Sequence, residues 1–192
     1  VLAKLHYQPF IQYLGRAGVD MADLPRWLSQ VDLEGHERGD VPGEVLRGRI
    51  AGMATRPLDL DELRSHWLSM FEPWDEMFTL ASGLKADYRV YLLSNIGDMH
   101  WAHLDSLYGL DALVHGACAS FRVGAIKPHV DIYRKAEVMF DLDPSATVFL
   151  DDLLPNVTAA RECGWHAIHH IDAGLTRSQL RTLGVRLPAP FT

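Results

Sequence analysis

From about Phe78 onward, short apolar runs alternate with stretches of helical periodicity, and this alternation restricts the fold more than any other feature of the chain. The order is helix in "MFTLASGLKA", strand in "RVYLLSN", helix in "MHWAHLDSLYG", a short strand in "ALVHGA", and helix in "VDIYRKAEVMF". There follow strand in "ATVFLDD", helix in "NVTAAREC" stopped by Gly164, and strand in "HAIHHI". Strands separated by helices need crossover connections, so the pattern predicts the α/β class with a parallel sheet. Thr176 and Gln179 of "TRSQL" are spaced as a capping box for a last helix, and the closing "RLPAPFT" reads as an exposed tail.

The residues before Phe78 follow a different regime. They show helical periodicity with almost no strand signal and stops at "GRAGVD", "EGHERGDVPGE" and "MATRPLDLDE". A small helical unit over 1–75 and an α/β unit over 76–192 are predicted. Asp40 and Asp59 stand where acidic residues start helices, and Trp27, Trp67, Phe71 and Trp74 are candidates for the packing of the helical unit. A length of 192 residues suits one substantial core with a small appendage.

Composition narrows the partners. The chain carries a net charge of −7 with Lys and Arg scattered, which leaves no electrostatic footprint for nucleic acid or an anionic membrane surface. A small molecule is the expected partner, and the protein itself is expected to be a monomer or homodimer. Cys118 and Cys163 lack metal-ligand spacing and read as buried thiols of a reducing compartment. No apolar run approaches the roughly 20 residues of a membrane span, and no cleavable signal is evident, so the expected location is cytoplasmic.

Polar groups at three predicted strand or helix boundaries carry the chemistry. "VYLLSNIGD" stops an apolar strand at Ser94 and Asn95, whose hydroxyl, amide and backbone N–H groups suit a phosphate; the competing reading is an ordinary helix cap. In "AIKPHVDIY", Pro128 holds Lys127 out of the helix that follows, so its ammonium can serve as a point charge toward an oxyanion, or be a surface lysine. "VFLDDLLPN" ends a buried strand in adjacent carboxylates, Asp151 and Asp152. Side by side they repel and lose hydration, and a hard divalent cation such as magnesium relieves both. The competing reading makes Asp151 a loop hydrogen-bonder and Asp152 a helix N-cap.

Taken in order, strand–Ser–Asn, Lys–Pro–helix and strand–Asp–Asp–x–x–x–Asn resemble the second, third and fourth motifs of the haloacid dehalogenase (HAD) superfamily, and the likeness spans nearly the whole chain. That resemblance implies a Rossmann-like parallel-sheet core with a small helical cap, here residues 1–75. The cap stretch "HERGDVPGEVL" is similar to that of the capped bacterial sugar-phosphate phosphatases, glucose-1-phosphate phosphatase among them, and to the N-terminal phosphatase domain of soluble epoxide hydrolases. It further implies a magnesium-dependent phosphatase of a small phosphorylated metabolite, working through an aspartyl-phosphate. Ser94 and Lys127 would be catalytic, Ser94, Asn95 and Lys127 would bind phosphate, and Asp152 would hold Mg2+ with Asp151 as its support or a weaker ligand. Asn156 stands where many members have another acid. The family's nucleophile belongs to a first motif before the cap, and "VLAKLHYQPF" resembles the residues just after that motif, which places the nucleophile upstream of Val1.

Two other readings accompany it. A 2-haloacid dehalogenase shares the lysine but needs no metal, which Asp151 and Asp152 argue against; a fold that has lost catalysis and kept binding is the other. His36, Glu37 and Arg38 either reach over the site to select the leaving group or form a solvated helix end capped by Gly39. "HAIHHI" invites a metal reading, yet only His166 and His170 would share a strand face, and exposed imidazoles on a late strand are expected.

Overall fold

The computed structural model describes residues 1–188. A short β1 (Ala3–Leu5) leads into five helices, α1 (Gln8–Arg16), α2 (Leu24–Val31), α3 (Leu33–Arg38), α4 (Gly43–Gly52) and α5 (Leu60–Leu68). Next come β2 (Phe71–Pro73), α6 (Asp75–Leu84), β3 (Tyr91–Ser94), α7 (Asp98–Tyr108), α8 (Leu110–Leu113) and β4 (Gly116–Ala119). The chain continues through α9 (Ser120–Val123), α10 (Val130–Phe140), β5 (Val148–Asp151), α11 (Leu154–Glu162), β6 (His166–His169) and α12 (Ala173–Thr182). Among the described residues no helix is long and apolar enough to cross a membrane.

The helical segment builds a hydrophobic cluster of its own from Phe10, Leu14, Trp27, Val31, Leu46, Ile50, Leu63 and Trp67. Phe71 and Trp74 belong instead to clusters of the α/β part, because β2 carries them away from the helices. Asp59 starts α5 as expected, its carboxylate accepting from the N–H groups of Asp61 (2.7 Å) and Glu62 (3.0 Å). Asp40 does not cap α4. Pro42 is the N-cap, and Asp40 pairs with Arg38 at 2.6 Å. The turn at Gly39 takes φ 90°, where a side chain would be strained, and it ends α3 as expected.

The parallel connections are present, but in two separate pairs. β3 lies parallel to β4, from Tyr91 opposite Gly116 to Ser94 opposite Ala119, and β5 lies parallel to β6, from Val148 opposite His166 to Asp151 opposite His169. β1 and β2 form an antiparallel pair. Among the described residues no strand pairing joins β3 to β5. The start of the chain runs between them, with Leu2 packed against both the Leu92 cluster and the Val148–Leu150 cluster.

Some boundaries differ from expectation for local reasons. "ALVHGA" is not one strand: α8 occupies Leu110–Leu113, and β4 begins at Gly116, where the small residues Gly116, Ala117, Cys118 and Ala119 let helices approach both faces. The last helix starts earlier than its capping-box spacing suggested. Asp172 caps α12 by accepting from Leu175 N–H at 2.8 Å, which places Thr176 inside the helix, fully buried. The tail reading holds only in part. Leu187 packs on a core cluster and the Pro188 carbonyl accepts from Arg177, while the reading for residues 189–192 lies outside the described residues. Cys118 and Cys163 are both buried free thiols, as expected.

The loop from β3 into α7 joins the helical segment to the α/β part. Asp98 accepts from Gly43 N–H at the start of α4 (3.3 Å), and His100 Nε2–H donates to the Trp67 carbonyl (2.7 Å). Burial lowers the His100 pKa to about 4, so the ring is neutral at pH 7. His36 lies against Gly97, where an added Cβ would meet Nε2 at 1.9 Å. Gly97→Ala should therefore cost roughly 1–3 kcal/mol in urea denaturation, and much less in a His36→Ala background, because the clash is overpacking against one ring. An equal cost in both backgrounds would contradict this.

Candidate active site

The carboxyl ends of β3 and β5 face each other, and one lysine spans them. Lys127 Nζ donates to the Leu93 carbonyl on β3 (3.1 Å) and to Asp151 Oδ2 at the end of β5 (2.7 Å). Both side chains are largely buried, at 10% and 4% exposure, so the pair is shielded from salt and bulk water. Asn95 fixes the lysine's backbone from across the gap, its amide Nδ2 donating to the Lys127 carbonyl (2.9 Å) and its Oδ1 accepting from Lys127 N–H (2.8 Å). Ser94 ends β3 beside this clamp, half-buried.

Asp151 is held from every side. Its Oδ1 accepts from Leu153 N–H (2.9 Å) and Asn156 Nδ2 (2.8 Å), while Oδ2 takes Lys127. Burial pushes this carboxyl's pKa up, but the Lys127 ammonium and those hydrogen bonds outweigh burial and keep it below the ordinary value. Neither Ser94 nor Asn95 caps α7, since Gly97 is its N-cap, and Leu153 rather than Asp152 stands at the N-cap of α11. Asp152 is exposed and its carboxylate has no protein partner among the described residues; its carbonyl accepts from His169 Nε2 at 3.0 Å.

Among the described residues no group of three or more His, Cys, Asp or Glu is gathered as a metal cage. The donors fit a different kind of site. One free carboxylate beside a fully engaged one suits a hard cation that keeps waters and substrate oxygens as its other ligands, as magnesium does. The histidines of "HAIHHI" divide otherwise than expected: His166 is exposed and His169 half-buried. His170 is buried at 3% exposure, with Nδ1 and Thr176 Oγ1 2.7 Å apart.

The helical segment contributes from the other side through α3. Arg38 turns outward to Glu34 and Asp40, the solvated end that its charge run suggested. His36 is buried and its Nδ1–H donates to the Val41 carbonyl (2.9 Å). Glu37 lies between these two fates. The residue is half-buried, its carboxylate has no hydrogen-bond or ion-pair partner among the described residues, and burial raises its pKa to about 7 against the opposing pull of Lys127. Ser120, which the sequence reading passed over, fixes this residue: its Oγ donates to the Glu37 carbonyl (2.5 Å) and accepts from Ile96 N–H (2.9 Å). Only its position just after the apolar run of β4 could have drawn attention to it. Asn156 likewise gained its role only from the structure.

The raised pKa of Glu37 means that the folded state holds this proton more tightly than the unfolded chain. Its protonated form costs the fold nothing below pH 4.5, and the penalty grows as pH rises from there and levels off above about 7. Glu37→Gln should therefore raise stability at pH 8 by about 2 kcal/mol and change it little at pH 5, in urea titrations at the two pH values. Equal effects at both would contradict the assignment.

Known proteins share this arrangement of elements. No family model matches the chain. D-ribitol-5-phosphate phosphatase of Bacteroides thetaiotaomicron is 25% identical over 154 residues, covering 77% of this chain and 75% of that protein. Sesquiterpene phosphatase AstK of Aspergillus oryzae is 26% identical over 167 residues, covering 86% and 85%. The crystal structure of a HAD family enzyme, BT-2542 of Bacteroides thetaiotaomicron, superposes with a TM-score of 0.83 at 23% identity, covering 94% of this chain and 93% of that one. The same enzyme in complex with magnesium and inorganic phosphate gives a TM-score of 0.79 at 24% identity, covering 91% and 90%. The chain therefore has the fold of the haloacid dehalogenase family enzymes to which it is similar.

Proposed function

We propose that the chain is a magnesium-dependent phosphomonoester hydrolase of the HAD type, acting on a small phosphorylated metabolite, with sugar and polyol phosphates as the first class to test. The observation that carries this reading is the Lys127–Asp151 pair joining the ends of β3 and β5 with the free carboxylate of Asp152 next to it. The names of the similar phosphatases, and the magnesium and phosphate bound by the similar enzyme, support it.

In this reading Lys127 opposes the negative charge gathered by the phosphoryl oxygens and the nucleophile, and its position is set before substrate arrives by Asn95 and Asp151. The Ser94 hydroxyl and neighbouring backbone N–H groups hold the transferring phosphoryl group. Asp152 would hold magnesium, with Asp151 as its support, since both Asp151 oxygens are already engaged. When bound, magnesium would supply further neutralisation of phosphoryl charge.

The nucleophile would be a carboxylate on a strand upstream of Val1, a placement supported by the open edges of β3 and β5, which lack a strand between them among the described residues. A carboxylate oxygen bonds to phosphorus as the ester P–O bond breaks, and the leaving alcohol takes up a proton. Water then attacks the phosphorus of the acyl phosphate and frees phosphate and the carboxylate. Helices α1–α5, within residues 1–75, would act as the cap over the strand ends, residues 76–192 forming the catalytic core.

Hydrolysis of p-nitrophenyl phosphate by the full chain should require magnesium and stop on chelation; activity that survives EDTA would remove the metal assignment. Because Asp152 is exposed, Asp152→Ala should unfold at the wild-type denaturant midpoint while kcat/KM falls about 100-fold or more. Lys127→Ala should fail twice. It loses activity and also leaves Asp151 buried and unpaired, a cost of roughly 3–5 kcal/mol visible in the same denaturation series.

A further inference from the structure

A half-buried, desolvated carboxylate with no protein partner among the described residues calls for a reason. Glu37 is such a group, and the fold spends contacts on holding it in place. Ser120 ties its carbonyl to the loop that leaves Ser94 and Asn95, His36 wedges the preceding turn of α3 against Gly97 of the same loop, and α3 packs along α9. The opposite charge that acts on its carboxylate is the ammonium of Lys127, in the site itself, while Glu34 acts as a like charge. Arg38, one residue on, turns to solvent. So of the charged residues in "HERGD", Glu37 is the one set toward the strand ends.

We propose that Glu37 is the residue through which the helical segment reads the leaving group, its carboxylate accepting hydrogen bonds from hydroxyl groups of a polyol or sugar phosphate; this rests on the phosphatase reading above. A phosphate needs cations and N–H donors, which Lys127 and the end of β3 offer, so an acidic group facing the same space addresses the part of the ligand that donates. Hydroxyl groups satisfy the desolvated carboxylate, whereas an alkyl or isoprenyl chain leaves it buried and unpaired, and such a site discriminates strongly against ligands that lack the donor. The two similar phosphatases carry names at these two extremes, a pentitol phosphate and a sesquiterpene. Glu37 assigns this chain to the hydroxylated side.

The test is calorimetric binding to the full chain with magnesium present, using inorganic phosphate, ribitol 5-phosphate and geranyl phosphate as probes. Wild-type protein should bind ribitol 5-phosphate more tightly than geranyl phosphate. Glu37→Ala should weaken ribitol 5-phosphate roughly 10- to 100-fold and inorganic phosphate less than threefold, while Glu37→Leu should strengthen geranyl phosphate. If Glu37→Ala does not fold, the isosteric Glu37→Gln decides: it keeps an acceptor but not the charge, and a selective loss of several-fold on ribitol 5-phosphate is expected. Equal losses on all three probes, or no loss on ribitol 5-phosphate, overturn the assignment of Glu37 and leave the phosphatase reading standing. Wild-type protein that binds neither phosphate nor either ester overturns the phosphatase reading and this inference with it.

Discussion

The structure depends most on the buried ion pair between Lys127 and Asp151. Among the described residues the two parallel strand pairs share no ladder, so ordinary backbone pairing does not hold β3 and β5 at a fixed distance. The lysine does, through one hydrogen bond to a β3 carbonyl and one to the carboxylate ending β5. A buried pair of this kind offsets its desolvation only when the remaining lone pairs and donors are satisfied, and here Leu153, Asn156 and Asn95 complete the set. The polar network is therefore the brace of the fold and, in the proposed phosphatase, also the centre of its chemistry.

That double duty explains how the two neighbouring acids divide their work. Asp151 is consumed by structure, with its charge fixed by contacts on both oxygens. Asp152, one residue on, has left the strand and faces solvent with its carboxylate free. Alternation along a strand puts successive side chains on opposite faces, so adjacent acids at a strand end divide naturally into one inside and one outside.

Much of this site was legible because polar residues terminating apolar runs stand out against their surroundings. Ser94, Lys127, Asp151 and Asp152 all fall at such endings, and their order along the chain carried the fold. The rest depended on facts that no local pattern contains. Whether Glu37 faces inward depends on the phase of a helix with charged residues around most of its circumference, and that phase is set by His36 meeting a glycine some sixty residues away in sequence. His170 reads as another exposed imidazole until Asp172 caps α12 and turns Thr176 inward to meet it. The strand expected over "ALVHGA" begins late because Leu113 is apolar for the sake of the α7 cluster, not of the sheet. The separation of β3 from β5 is a property of pairing between distant segments, to which periodicity is blind.

The hydroxyl of Ser120 has a thermodynamic consequence. By bonding at once to the carbonyl of Glu37 and to the loop after β3, it makes the backbone of that glutamate part of the frame that also carries Ser94 and Asn95. The rotational freedom of this segment is surrendered when the protein folds, not when a ligand arrives. In the proposed site, a ligand meeting Glu37 thus finds the backbone that carries its acceptor already fixed, so that recognition there has only the side chain's own freedom left to lose.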